Sequence, residues 1–230
     1  MAVLAFDTTQ GACSAAIFHQ GVLLSGRLEL MARGQAEHVL PMIETVRRQA
    51  GIEYCDIDLI AVTTGPGTFT GVRVGLAAAR ALALVGGQAV LGIGTLELLA
   101  HAAAPAVLAE RKGAIIAAID ARRGELYVQV FDDGGMAATA ATAISAASFR
   151  PPPGLAPGRI VGTGAAILQA VLPDWRLDGG IVQPDAAVLA RTAEAWRHRA
   201  SLTPPAPVYL RSPDAKLPQQ TASNNSGQNL

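Results

Sequence analysis

The chain has 230 residues, half of them hydrophobic, and its 18 Lys and Arg balance its 18 Asp and Glu. That length makes one large domain or two small ones with apolar residues enough for a sizeable core. A neutral balance argues against a chain that binds nucleic acid alone, because such a chain normally carries a basic face.

The short basic pairs Arg47-Arg48 and Arg122-Arg123 read as solvated. Cys13 and Cys55 lack metal-ligand spacing and fit a reducing compartment. Met1 to Asp7 has no basic region and meets an aspartate too early for a signal peptide. No apolar run approaches the roughly 20 residues that span a bilayer. The expectation is a soluble cytoplasmic protein with no membrane contact.

Val3 to Phe6 reads as a buried strand ending at Asp7, and Thr8 to Gly11 as a turn. Ala12 to Phe18 and Val22 to Leu30 continue a meander through a tight Gln20-Gly21 turn. Glu37 to Ala50 reads as a helix with Val39, Ile43, Val46 and Ala50 on one face; Pro41 is tolerated in its first turn and Gly51 closes it. Asp58 to Val62 is a buried strand. It leads into a glycine-rich turn, Gly65-Pro66-Gly67-Thr68-Phe69-Thr70, with Thr70 placed to cap the next helix, Val72 to Val85. Such a turn can present backbone N–H groups to an anion. It matches neither a Walker loop nor a dinucleotide fingerprint.

In that helix Gly71, Gly75, Ala79 and Ala83 recur every fourth residue and form a smooth stripe. Each early glycine weakens a helix by roughly 0.5–1 kcal/mol relative to alanine, which points to a close approach. Two readings stand: the stripe packs on this chain's own sheet or helices, or it docks a second protein. Strand Ala89 to Ile93 and a helix from Thr95 to about Ala102 complete a β-β-β-α-β-α-β-α, ribonuclease-H-like order.

The second half repeats this pattern. Ile116 to Asp120 aligns with Val3 to Asp7, each an apolar strand with an aspartate at its end and glycine four residues on. A further strand follows, Glu125 to Phe131, and Ile160 to Ala165 repeats strand, Gly-x-Gly, helix. The expected fold is α/β, two related lobes of mixed sheet flanked by helices, divided as 1–103 and 104–211. Residues 132–157 are weakly specified. Asp185 to Arg199 reads as a helix and Val208 to Arg211 as an extended piece; the polar stretch 212–230 reads as a disordered tail.

Paired halves with strand-end aspartates resemble the actin/sugar-kinase/Hsp70 superfamily, in which such aspartates handle Mg²⁺ and phosphates. Asp7 and Asp120 are the candidates here, although Thr8-Thr9-Gln10-Gly11 lacks the glycine-rich phosphate hairpin of those ATPases. His19, His38, His101 and His198 are isolated, and no clustered metal ligands or nucleophile–base pair is visible. Ser14 has no evident base partner. An ATP-dependent small-molecule kinase or transferase is the alternative reading; a peptidase has no nucleophile to support it.

The stretches Phe6 to Thr9, Gly65 to Gly75, Ala118 to Tyr127 and Pro207 to Arg211 resemble the bacterial TsaB/YeaZ family, from Val3 to about Arg211. The resemblance implies an actin-like two-lobed fold and a non-catalytic role in making threonylcarbamoyladenosine on tRNA. In that role the family partners TsaD, the metal-bearing transferase, together with the ATPase TsaE; it meets tRNA only through the complex and pairs with itself when alone. TsaD-type enzymes hold metal through a histidine pair on the first helix; in Arg33 to Pro41 only His38 is present, with Gln35 where many relatives have histidine. No cofactor of its own is expected, with ATP or ADP at most at the subunit contact. Family contacts run through the two helices of the first lobe. On this sequence they imply Val39, Met42, Ile43, Val46, Gly71, Val72, Arg73, Gly75, Leu76, Ala79 and Ala83 as the partner interface.

Overall fold

The computed structural model describes residues 1–110 and 113–211, with side chains left aside over 105–110. The stretch 212–230, read as a tail, lies outside the described residues. The elements are β1 (Ala2–Asp7), β2 (Ala12–His19), β3 (Val22–Leu30), α1 (Gln35–Ala50), β4 (Leu59–Thr63), α2 (Phe69–Gly86), β5 (Ala89–Ile93) and α3 (Thr95–Glu110). After them come β6 (Ile115–Asp120), β7 (Glu125–Phe131), β8 (Thr142–Ser145), β9 (Arg159–Val161), α4 (Ala165–Gln169), β10 (Arg176–Leu177) and α5 (Ala186–Ala195).

Two five-stranded sheets result, ordered β3-β2-β1-β4-β5 and β10-β9-β6-β7-β8. In the first, β1, β2 and β3 are antiparallel neighbours while β4 and β5 run parallel to β1. In the second, β6, β7 and β8 are antiparallel while β9 and β10 continue in parallel. The second sheet therefore repeats the first strand for strand, β6 standing for β1. Asp7 and Asp120 end equivalent strands, as the duplicated pattern implies. This is a two-lobed α/β architecture of mixed sheets flanked by helices.

Every residue of β1 is buried, as a central strand covered on both faces must be. On one face, α1 and α2 bring Val39, Ile43, Val46, Val72, Leu76 and Ala79 onto Leu4, Phe6, Ile17 and Ile60. On the other, Ala186, Leu189, Ala190 and Ala193 of α5 cover Val3, Ala5, Ala16, Phe18 and Ala61. By length and composition alone α2 could cross a bilayer; its apolar face instead builds this core.

Packing does not follow the linear division at 103/104. Leu96, Leu99, Ala100 and Ala103 of α3 lie on the second sheet, against Ile115, Ala117, Ile119 and Phe131. Helix α5, which follows the second sheet in sequence, returns to the first. Each lobe thus lends a helix to the other. The return is pinned by Ser14, whose hydroxyl donates to the Pro184 carbonyl at 3.2 Å and accepts from the Ala186 amide at 3.1 Å.

Several boundaries differ from the sequence reading. Helix α2 starts earlier, with Thr68 rather than Thr70 as its cap: the Thr68 hydroxyl accepts from the Gly71 amide at 3.1 Å. Helix α5 stops at Ala195, and Arg197–Arg199 form a separate 3-10 turn. Arg47 is buried rather than solvated. It forks onto Glu44 at 2.8 and 2.9 Å and reaches the Ile52 carbonyl and Glu53, tying the end of α1 to the turn Tyr54–Asp56.

Candidate functional site

Between the carboxyl ends of the two central strands lies a cleft of about 530 Å³, lined among others by Gln10, Thr68, Asp120, Arg122, Thr163 and Gln183. The carboxylate of Asp7 does not line it. Asp7 is fully buried, accepting from the Thr9 hydroxyl at 2.7 Å, the Thr9 amide at 3.2 Å and the Thr63 hydroxyl. Burial pushes its carboxyl up to about 6, against the lowering effect of those hydrogen bonds.

The Gly65–Gly71 turn folds over this carboxylate and uses its donors within the chain. The Thr68 amide donates to the Thr9 carbonyl at 2.8 Å, Thr64 to Ile93 at 2.9 Å, and Val72 to the Thr68 carbonyl at 3.0 Å. Of the three N–H groups that open α2, that of Gly71 is taken by the Thr68 hydroxyl. Close approach explains the glycines. A Cβ on Gly67 would stand 2.8 Å from the Thr9 Cβ, one on Gly75 2.9 Å from the Thr8 hydroxyl, and one on Gly71 would overlap the Thr8 carbonyl. The smooth stripe of α2 therefore rides on the β1 turn, and the reading in which it is offered to a second protein is corrected.

Asp120 differs from Asp7. It lies on the cleft wall, accepts from the Arg122 amide at 2.8 Å and sits 3.6 Å from the Arg122 guanidinium. The two candidates are thus not brought together to face one ligand. A nucleotide phosphate with its metal does not fit this donor set: one carboxylate is sealed and the other is paired with a cation. The metal of TsaD-type enzymes does not fit the start of α1 either. Gln35 turns inward, donating to the carbonyls of Gln10 and Met31 at 3.1 and 3.2 Å, while His38 holds the Gly34 carbonyl at 2.8 Å. Among the described residues no three His, Cys, Asp or Glu gather. Cys13 is buried, with its thiol pushed up to about 12 by burial, and is inert.

Of the residues named for the interface, Val39, Met42, Ile43, Val46, Gly71, Val72, Gly75, Leu76 and Ala79 are buried in the chain's own core, and Ala83 is half-buried. They sit on α1 and α2, but on the inward face. Arg73 alone is exposed; its guanidinium lies 3.6 Å over the Phe69 ring and donates to the Tyr209 hydroxyl at 3.0 Å. What α1 and α2 turn outward is a different set. Leu40 is 50% exposed, Leu84 86% and Val85 90%. Leu40, Pro41, Tyr54, Leu82 and Val85 line an open, apolar groove of about 600 Å³ between the two helices. One signal was available in the sequence: Leu82, Leu84 and Val85 leave the last turns of α2 apolar on every side, more than one core face requires.

The last motif, Pro207 to Arg211, links the others. The Val208 amide donates to the Thr64 carbonyl at 2.8 Å, Tyr209 meets Phe69 and Arg73, and Arg211 reaches Glu125 and the Ala121 carbonyl. Four separated stretches thus meet around one turn.

A model of the family described as "TsaD: tRNA N6-adenosine threonylcarbamoyltransferase" matches residues 29–167, more than half of the chain. The chain is 39% identical over 127 residues to the tRNA threonylcarbamoyladenosine biosynthesis protein TsaB of Escherichia coli. The chain belongs to the TsaB/YeaZ family. The match covers 55% of this chain and 53% of that relative, so the chain spans about half the length of the curated relatives it first matches. An uncharacterized protein of Mycobacterium tuberculosis is 33% identical over 218 residues, 93% of each chain. Among solved structures, YeaZ from Pseudomonas aeruginosa superposes with a TM-score of 0.77 at 29% identity, covering 91% of this chain and 99% of that one.

Proposed function

We propose that this TsaB/YeaZ-family chain is a non-catalytic partner subunit in making threonylcarbamoyladenosine on tRNA, next to the anticodon. In this reading it binds and activates TsaD, acts together with TsaE in the cytoplasm, and meets tRNA only within the assembly. The observation that carries it is the pairing of a closed site with an open surface. Asp7 is engaged inside the chain, while the outward faces of α1 and α2 leave an apolar groove bare. A bare groove rimmed by Leu40, Tyr54 and Val85 suits an amphipathic helix pair of another protein.

ATP or ADP enters this reading only at the contact with TsaD, not in the chain's own cleft. Calorimetric titration of the full chain with TsaD tests the surface. Leu40→Glu and Val85→Glu each weaken binding about tenfold or more, as expected for burying a charge in an apolar contact. Unchanged affinity in both variants overturns the proposed face. Mg-ATP titrated into the chain alone gives no heat; saturable binding at micromolar concentration would favour the kinase reading instead.

A further inference from the structure

The cleft between the lobes holds polar groups that the chain itself does not satisfy. Among the described residues, Gln183 Oε1 is sealed from solvent and has no hydrogen-bond partner. Gln10 is 6% exposed. Its Nε2 donates to the Pro66 carbonyl at 3.4 Å, and no hydrogen bond from the described residues reaches its Oε1. Both side chains line the cleft of about 530 Å³. Gly11 lets the Gln183 carboxamide lie against the turn after β1, since a Cβ there would stand 3.3 Å from Nε2. A buried oxygen without a donor is costly, so this pair calls for a partner from outside the chain.

The opposite wall comes from the second lobe. Asp120 at the end of β6, Tyr127 on β7 and Thr163 after β9 line the same space. The Thr163 hydroxyl accepts from the Asp120 amide at 3.0 Å and keeps its own proton to give. The Tyr127 hydroxyl is bound to no described residue. Asp120 spends part of its capacity on Arg122, whose amide donates at 2.8 Å and whose guanidinium stands at 3.6 Å. A carboxylate has about four acceptor sites, so room is left for a ligand.

This set selects a ligand class. Carboxylate and carboxamide oxygens accept, while the hydroxyls of Thr163 and Tyr127 donate. Asp120 and Arg122 cancel in charge, so the wall favours neither an anion nor a cation. Hydroxyl groups answer both needs, because each donates and accepts, and two neighbouring hydroxyls match the two oxygens of one carboxylate. We propose that the interlobe cleft binds a neutral, polyhydroxylated small molecule, with a vicinal diol on Asp120 and further hydroxyls on Gln10 and Gln183. Such a ligand bridges the lobes, since Gln10 follows β1 of the first and Asp120 ends β6 of the second. The diol is that of a free monosaccharide or of the ribose in a nucleoside. The site goes beyond the partner role and is separate from the α1/α2 groove.

Calorimetric titration and ligand-observed NMR of the full chain test this with D-ribose, D-glucose and uridine. At least one saturates at roughly millimolar concentration, the range that so small a ligand allows. Ribose or glucose binding without uridine assigns a free sugar; uridine binding about tenfold tighter than 2′-deoxyuridine assigns a ribonucleoside. Asp120→Asn and Gln183→Leu each weaken binding about tenfold. Gln183→Leu keeps or raises the melting temperature of the free chain, because it removes an unpaired buried oxygen, so its loss of binding is not a loss of fold. No saturation by any of the three probes up to tens of millimolar overturns the proposal. So does uridine binding that 2′-deoxyuridine equals, tighter binding of ethanolamine or acetate, or binding that both variants leave unchanged. None of these results bears on the TsaD titration, which reads the α1/α2 groove.

Discussion

Asp7 carries the clearest chemical consequence at the scale of single residues. Its carboxyl is ordinarily near 3.8 and stands at about 6 in the folded chain, raised by burial. A raised acid favours the fold when protonated, so its stabilisation is complete below about pH 4 and is lost as pH rises through 6. The shift corresponds to the order of 3 kcal/mol. Asp7→Asn should therefore gain on the wild type by about that amount between pH 4 and 7, measured by urea unfolding across the range. A difference that stays flat with pH would mean that Asp7 is solvated. Gly71 and Gly75 make the complementary point. Gly75→Ala should cost about 1–3 kcal/mol by overpacking against the Thr8 hydroxyl, and Gly71→Ala more, because its Cβ would run into the Thr8 backbone carbonyl and the capping Thr68 hydroxyl together. Thermal melts of both check this. The need for glycine was legible in the four-residue spacing; the identity of the neighbour was not, since Thr8 lies 63 residues away in sequence from the Gly71 carbonyl that its hydroxyl holds.

Among the elements, α2 carries two apolar faces with different uses. Leu76→Ala removes a buried side chain from the first core and should cost about 2–5 kcal/mol. Leu84→Glu touches an 86% exposed position and should change stability by no more than about 0.5 kcal/mol. Urea midpoints of the two variants separate the faces, and a large loss from Leu84→Glu would show the outer face to be structural. The helices themselves were readable from apolar spacing, with ends shifted by a few residues, except that α3 runs on past Ala102 to Glu110. Which stripe of α2 faces inward was not readable, because the glycine stripe and the leucine stripe are both free of charge. The hydrogen-bond partners of the turn decided it. Once Thr68 is tied to the Thr9 carbonyl, the rotation of α2 is set and Gly71 must lie over β1. The exposed apolar face is consequently the one that sequence reasoning passed over.

Across the whole molecule, the exchange of α3 and α5 makes the two sheets depend on each other. Trp175 lies in the core of the second sheet and Trp196 packs beside α5 on the first. Single-tryptophan variants, Trp175→Phe and Trp196→Phe, should report coincident unfolding midpoints in urea, as one cooperative unit requires. Midpoints separated by more than the fitting error would show independent lobes. By itself the sequence determined the strand and helix order of the first lobe, the duplication with its two strand-end aspartates, and the places where backbones must come close, because period, turn chemistry and glycine demand act over a few residues; β8 and β10 left no such signal. Only the tertiary structure decided what fills those close approaches, which lobe receives α5, and that the Asp7 carboxylate is sealed by Thr9 and Thr63. Those outcomes rest on contacts between residues far apart in the chain, such as Ser14 with Ala186 and Thr64 with Val208, and no local pattern encodes which of two equally apolar surfaces will be covered.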